Sequence, residues 1–265
     1  MKMKNFAKVL TVILLCAMLA PALIACGASE KVIIGVTDFP PMNYKDDKGK
    51  WIGFESEFAE AVCKKIGVTA EFQIIDWSAK ETELNAGNID CIWNGMTVTP
   101  ERAENMSLSQ HYMINRQVLV TLAENEDKYQ AAADFNGAAV VAEAGSTGEE
   151  TAQGDAFFAG AKYTAVDSQI KALMEVKAGT ADVAVVDYFI AANSTVEGSD
   201  FANLVISKYK TFADEEYAIA FRKVPGENEK ITVDQVNKAI NELIGSGELQ
   251  KIADKYGLGD LLIKG

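Results

Sequence analysis

Past residue 30 the apolar residues fall into short blocks and four-residue repeats that alternate along the chain. Lys31-Val-Ile-Ile-Gly-Val36 is a short β-prone run and predicts a buried strand. Phe54, Phe58, Val62 and Ile66 recur every fourth residue and predict an amphipathic helix over 53–67, with Gly67 as its C-cap. A second strand follows over 70–75, a short helix over 79–86, and a third strand over 89–93. Strand, helix, strand, helix, strand without hairpin signals predicts a parallel sheet with crossover helices. The second half repeats the scheme. Strands are expected over 117–122, 138–142 and 183–186, with a helix over 164–178. A strand over 217–221 and two closing helices complete the chain; Val233, Val236, Ile240 and Leu243 mark the first, and Leu249, Ile252, Ala253 and Tyr256 the second.

In parallel sheets ligands sit beyond the carboxyl ends of the strands. Asp38, Trp77, Gly95 and Thr97 all fall there. The stretch from Asn88 to Arg102 is the most informative. Its apolar strand stops at Asn94-Gly95, and two hydroxyls, Thr97 and Thr99, come next. Pro100-Glu101 then reads as a helix start just before Arg102. Backbone N–H groups, a hydroxyl and a guanidinium are the parts that hold a carboxylate, and the planar fork of arginine fits two oxygens at once. The alternative is a surface loop followed by a helix that happens to carry an arginine. A shorter echo appears between Ala86-Gly-Asn-Ile-Asp90 and Ala178-Gly-Thr-Ala-Asp182, each leading into an apolar strand. It suits two α/β lobes of similar design, although so brief a match also arises by chance.

Composition narrows the function. The chain has 265 residues and 49% hydrophobic content, enough for a packed core. Its formal net charge is −13, which disfavours nucleic acid and anionic lipid headgroups as partners. Lys2, Lys4 and Lys8 precede an apolar run over 9–24, the pattern of a signal peptide. The run ends Leu23-Ile24-Ala25-Cys26, which resembles the lipobox of bacterial lipoproteins. Cleavage after residue 25 and lipidation of Cys26 are therefore expected, an ordinary secretory signal being the alternative. Of the remaining cysteines, Cys63 and Cys91 are expected as buried free thiols, with a disulfide as the alternative. There is one histidine, His111, and no Cys-x-x-Cys or phosphate-binding glycine loop. No metal and no cofactor are expected.

The order Asp38-x-Pro-Pro, Gly53-Phe54-Glu-x-Glu57, Gly95-Met-Thr97-x-Thr-x-x-Arg102, Gly145-Ser-Thr147 and Asp187 after an apolar strand resembles the extracytoplasmic solute-binding proteins of polar amino-acid ABC importers. The likeness covers nearly everything after Cys26. It implies an α/β fold of two Rossmann-like lobes of the type II periplasmic-binding-protein class, joined by a two-stranded hinge. It implies a signal peptide over 1–25, a first lobe over 26–112, a second over 113–212, and a return to the first over 213–265, with crossings near 111–115 and 211–215. It also implies capture of an amino acid, delivery to permease subunits, a monomeric chain and no catalysis. By position, Arg102 would take the ligand's α-carboxylate, sharing it with the N–H groups of Thr97 and Thr147. The Gly95 carbonyl, the Thr97 hydroxyl and Asp187 would receive the α-ammonium. Phe39 and Trp77 would sandwich the side chain, with Asp38 at its far end. Asp187 as a helix N-cap, Trp77 as core and Glu143 as an exposed acid are the bland readings. Glu143 departs from the best-known relatives, so their ligand does not transfer. Asp38 and Glu143 are the charges expected near the ligand side chain, which predicts a neutral or cationic ligand over an acidic one. An enzyme on the same fold, resembling cyclohexadienyl dehydratase or a peptidoglycan lyase, is the alternative function.

Overall fold

A computed structural model describes residues 29–226 and 229–263. The expected signal peptide and Cys26 lie outside the described residues. In chain order come β1 (Lys31–Val36), β2 (Tyr44–Lys45), β3 (Trp51–Ile52), α1 (Phe54–Ile66) and β4 (Thr69–Ile74). Next are α2 (Lys80–Ala86), β5 (Cys91–Ile92), α3 (Pro100–Asn105) and β6 (Met106–Leu108). These are followed by β7 (Met113–Leu122), β8 (Ala139–Glu143), α4 (Thr147–Gly154), β9 (Lys162–Val166) and α5 (Gln169–Ala178). The rest are β10 (Val183–Asp187), α6 (Tyr188–Ser194), β11 (Leu204–Ile206), β12 (Asp214–Tyr217), β13 (Ala220–Arg222), α7 (Val233–Gly245) and α8 (Glu248–Lys255).

Two sheets carry the fold. The first has the order β4-β1-β5-β13-β6, and the second β11-β7-β10-β8-β9 with β12 added to β7. β1 runs parallel to β4 and β5, and β8 runs parallel to β9 and β10, as the crossover pattern requires. β13 is antiparallel to β5 and β6, and β7 to β10 and β11. The chain leaves the first sheet after β6 and returns to it at β13. On the way, β7 and β12 pair antiparallel from Asp214↔Arg116 to Tyr217↔Met113.

Local chemistry explains most boundaries. Phe54, Phe58 and Val62 are buried on one face of α1, and Gly67 ends the helix at φ 89°, a conformation glycine adopts without strain. Phe58 meets Trp93 edge-to-face at 4.9 Å, so Trp93 is a core residue packed against a crossover helix. Val236, Ile240 and Leu243 of α7 and Leu249 and Ala253 of α8 are buried in the same cluster, which returns the C-terminal segment to α1. Cys63 and Cys91 are buried free thiols.

Three elements differ from expectation. The helix expected over 164–178 begins only at Gln169, capped by the Ser168 hydroxyl, which accepts from Lys171 N at 3.1 Å. The residues before it form edge strand β9, where one half-exposed face blurs the strand period. The strand expected over 217–221 is two strands, because the chain changes sheets at Ala218-Ile219. β5 is two residues long, though Asp90 N and Trp93 N still donate to Ile33 O and Gly35 O. β6 and β11, three residues each, carry too little pattern to be read.

Candidate ligand-binding site

Beyond the carboxyl ends of β1 and β5 and around the starts of α4 and α5 lies a nearly closed cleft with about 10 Å³ of free space, room for about one water. Its lining includes Phe39, Trp77, Gly95, Thr97, Arg102, Glu143, Thr147 and Asp187, so eight of the nine expected ligand residues meet there. Asp38 does not line it; it is exposed beside Phe39. A loop fixed by Pro40 and Pro41 presents one of its two neighbouring side chains inward, and that one is Phe39.

Arg102 is held by its helix. The Thr99 hydroxyl caps α3 by accepting from Arg102 N at 3.2 Å, and Pro100 occupies the first turn. The guanidinium is buried. Nη1 donates to Thr97 O at 3.0 Å, Nη2 to Gly145 O at 3.1 Å, and Nη2 reaches Glu150 at a long 3.5 Å. Thr147 begins α4 from the opposite wall, behind the cap Ser146, whose hydroxyl accepts from Glu149 N at 3.1 Å. The first N–H groups of any helix lack an intrahelical acceptor and favour an anion. The Thr97 and Thr147 hydroxyls approach to 3.4 Å, so the two walls touch.

Gly95 sits at φ 58°, and a Cβ there would lie 2.7 Å from Phe39 Cε1. Its N–H donates to both oxygens of Glu55 at 3.0 Å, and Tyr112 Oη donates to the same carboxylate. Glu55 is fully enclosed, and burial pushes it up to about 7.

Asp187 occupies the N-cap position of α6 but makes no side-chain cap. Its carboxylate instead accepts from Asn115, from Gln117 Nε2 at 2.7 Å and from Gln169. Gln169 Oε1 in turn accepts from Asp187 N at 2.8 Å, which locks the pair. Glu215 of β12 accepts from Thr97 Oγ1 at 3.0 Å, Asn115 Nδ2 at 2.6 Å and Gln117 Nε2 at 2.8 Å. Glu143 is buried, not exposed. Burial and then the charge of Asp187 push it up to about 8, with Lys80 opposing. Burial and then Asp187 push Glu215 to about 7, and burial raises Asp187 itself. Trp77 is both wall and core, packed with Ile75, Leu84 and Ile89.

Lys80, Asn115, Gln117, Gln169 and Glu215 were not expected here from the sequence, nor were Thr37, Asn94 and Ser146 of the lining. Asn115, Gln117 and Glu215 lie on the paired strands β7 and β12, whose polar residues read as a crossing rather than as a site, and Lys80 and Gln169 lie near helix starts outside any motif. The ensemble combines Arg102 and Lys80 with two buried carboxylates, Glu143 and Asp187, the half-buried Glu215 and two aromatic walls. It can present donors to a carboxylate and acceptors to an ammonium. Among the described residues no three His, Cys, Asp or Glu side chains form a metal cluster.

Residues 32–259 match the family described as bacterial extracellular solute-binding proteins, family 3. The chain is 30% identical over 257 residues to the arginine-binding extracellular protein ArtP of Bacillus subtilis (strain 168), covering 94% of this chain and 97% of that one. An ancestral arginine-binding protein bound to arginine superposes with a TM-score of 0.77 at 32% identity, over 87% of this chain and 99% of the other. A substrate-binding protein of an ABC uptake transporter from Streptococcus pneumoniae, with bound histidine, gives 0.78 at 30% identity, over 88% and 95%. These likenesses place the fold in the type II periplasmic-binding-protein class.

Proposed function

Because the chain belongs to the bacterial extracellular solute-binding proteins of family 3, we propose that it captures a polar amino acid outside the cell membrane and delivers it to an ABC importer. One observation carries this reading. A small cleft and its surround set a buried guanidinium and a helix start against Glu143, Asp187 and Glu215, carboxylates that among the described residues contact no arginine or lysine side chain at hydrogen-bond distance. A zwitterion supplies the missing charge to both.

In this reading Arg102 forks the α-carboxylate, with the Thr97 and Thr147 N–H groups. Gly95 O, the Thr97 hydroxyl and Asp187 hold the α-ammonium. Phe39 and Trp77 flank the side chain, and Glu143 takes its polar end; Asp38 is left outside. Lys80 adds a cation that the motif segments lack; a neutral or cationic side chain is still favoured, because a cation beside Glu143 and Glu215 stabilises their charged forms, whereas a second ligand carboxylate would oppose them. The chain works as two lobes, one built on each sheet, that close about the β7–β12 pair. It is a monomer held at the membrane through lipid on Cys26. A thermal-shift screen of the twenty amino acids with cystine and ornithine tests the assignment, because a ligand that binds only the folded state raises Tm. No shift with any of them contradicts it.

One observation favours an enzyme as a second reading. Glu143 and Glu215, held at about 8 and about 7, have the proton affinity of acid–base groups. Turnover of a prephenate-like substrate or of cell-wall fragments would establish it; binding of an amino acid without turnover removes it.

A further inference from the structure

Lys80 lies at the start of α2, on the side of the first sheet, and its side chain is buried. Buried lysines are rare unless paired with an acid. This one has no carboxylate within ion-pair distance among the described residues. Its Nζ donates instead to two backbone carbonyls, Trp77 O at 3.3 Å and Gly145 O at 2.8 Å, and sits 4.9 Å from the centre of the Trp77 ring.

Gly145 belongs to the opposite wall, in the loop between β8 and α4. Its carbonyl also accepts from Arg102 Nη2, so two cations from one wall converge on one oxygen of the other. The approach is close on both sides. Gly145 adopts φ 74°, and a Cβ there would stand 3.1 Å from Ser78 Cα and 3.3 Å from Lys80 Nζ. Arg102 lines the cleft, whereas Lys80 does not. The two bonds therefore have different fates when a ligand carboxylate arrives. Arg102 has donors to turn toward it, and Lys80 keeps its carbonyl.

We propose that Lys80 is a positioning residue for capture: it latches the α4 loop onto the first wall through Gly145 O, holding the cleft shut over the ligand without touching it. The proposal rests on the binding reading above. The Trp77 ring and the carbonyl pair give the ammonium its solvation in the closed form, and opening the cleft loses the Gly145 bond. Burial, and next the Arg102 charge, push Lys80 down to about 8, against Glu81, Glu143 and Glu150, as expected for a cation held in a dry contact.

A latch formed only in the closed state acts on escape rather than on encounter. Lys80→Met keeps the apolar stem over Trp77 and removes the donor. Stopped-flow kinetics with the amino acid found by the thermal screen should show koff raised about tenfold, the worth of one buried charged hydrogen bond, with kon changed by less than koff. Lys80→Arg should recover part of that loss, which a packing role would not allow. Small-angle scattering of the ligand-free chain needs no ligand and separates failure of the latch from failure of the amino-acid reading. There Lys80→Met should give a larger radius of gyration than wild type. An unchanged or slower koff, a change confined to kon, or, should no amino acid bind, identical scattering of the two proteins overturns the proposal.

Discussion

Arg102 bears the sharpest expectation. It is buried with its guanidinium on two carbonyls, so Arg102→Ala would leave a ligand carboxylate desolvated and unpaired. The expected loss of binding is about 2–5 kcal/mol by calorimetry. Arg102→Lys should recover only part, since a point charge cannot make the fork. A second expectation concerns pH. Burial holds Glu143 at about 8 and Glu215 at about 7. A cationic ligand beside them favours their charged forms, so the complex carries fewer protons than the free protein between about pH 6 and 8. Arginine should then bind more tightly as pH rises through that window and level off above it, releasing protons. Glu143→Gln should flatten the profile, and calorimetry in two buffers of different ionisation enthalpy reads the released proton. The placement of Arg102, Thr97, Thr147 and Asp187 at the cleft was legible because they fall on strand ends and helix starts marked by Gly, Pro and Thr. Asp38 falls outside the cleft lining, which the sequence could not tell, because it does not say which of two adjacent loop residues faces in. Lys80 and Glu215 were invisible for another reason: their importance comes from what the opposite wall brings to them.

The short helix α3 has six residues, too few to persist without its cap and its packing. Thr99→Ala removes the acceptor for Arg102 N and should lower stability by about 0.5–2 kcal/mol in urea titration. It should also weaken ligand binding, because the same turn aims Arg102. Retained stability with normal affinity would show that packing alone sets the helix. The helices with four-residue repeats, α1 and α7, were readable because burial on one face leaves a strong period. Strands β9 and β12 were not. β9 is an edge strand with a half-exposed face, and β12 reads Asp-Glu-Glu-Tyr, acidic because it lies in the pair beside the cleft rather than in the core. The elements that misled the reading are thus those whose residues serve an edge or the cleft.

Taken together, two sheets linked by the β7–β12 pair, with a charged cleft crossed by Lys80, Arg102 and the Thr97–Thr147 contact, suit a hinge that closes on its ligand. A ligand touching both walls binds the closed form better and shifts the population toward it. Small-angle scattering should therefore show a smaller radius of gyration with ligand than without, and an unchanged profile at saturation would rule closure out. The parallel sheets and the C-terminal return to the first sheet follow from local patterns, whereas the meeting of the two walls follows only from the chain's full path. The most direct test of the binding assignment is isothermal calorimetry of the chain against arginine, histidine, glutamine and glutamate. One-to-one binding of a cationic or neutral polar amino acid, tighter than that of glutamate, is expected. Glutamate as the tightest ligand would overturn the charge argument alone, and no heat with any of them would contradict the assignment.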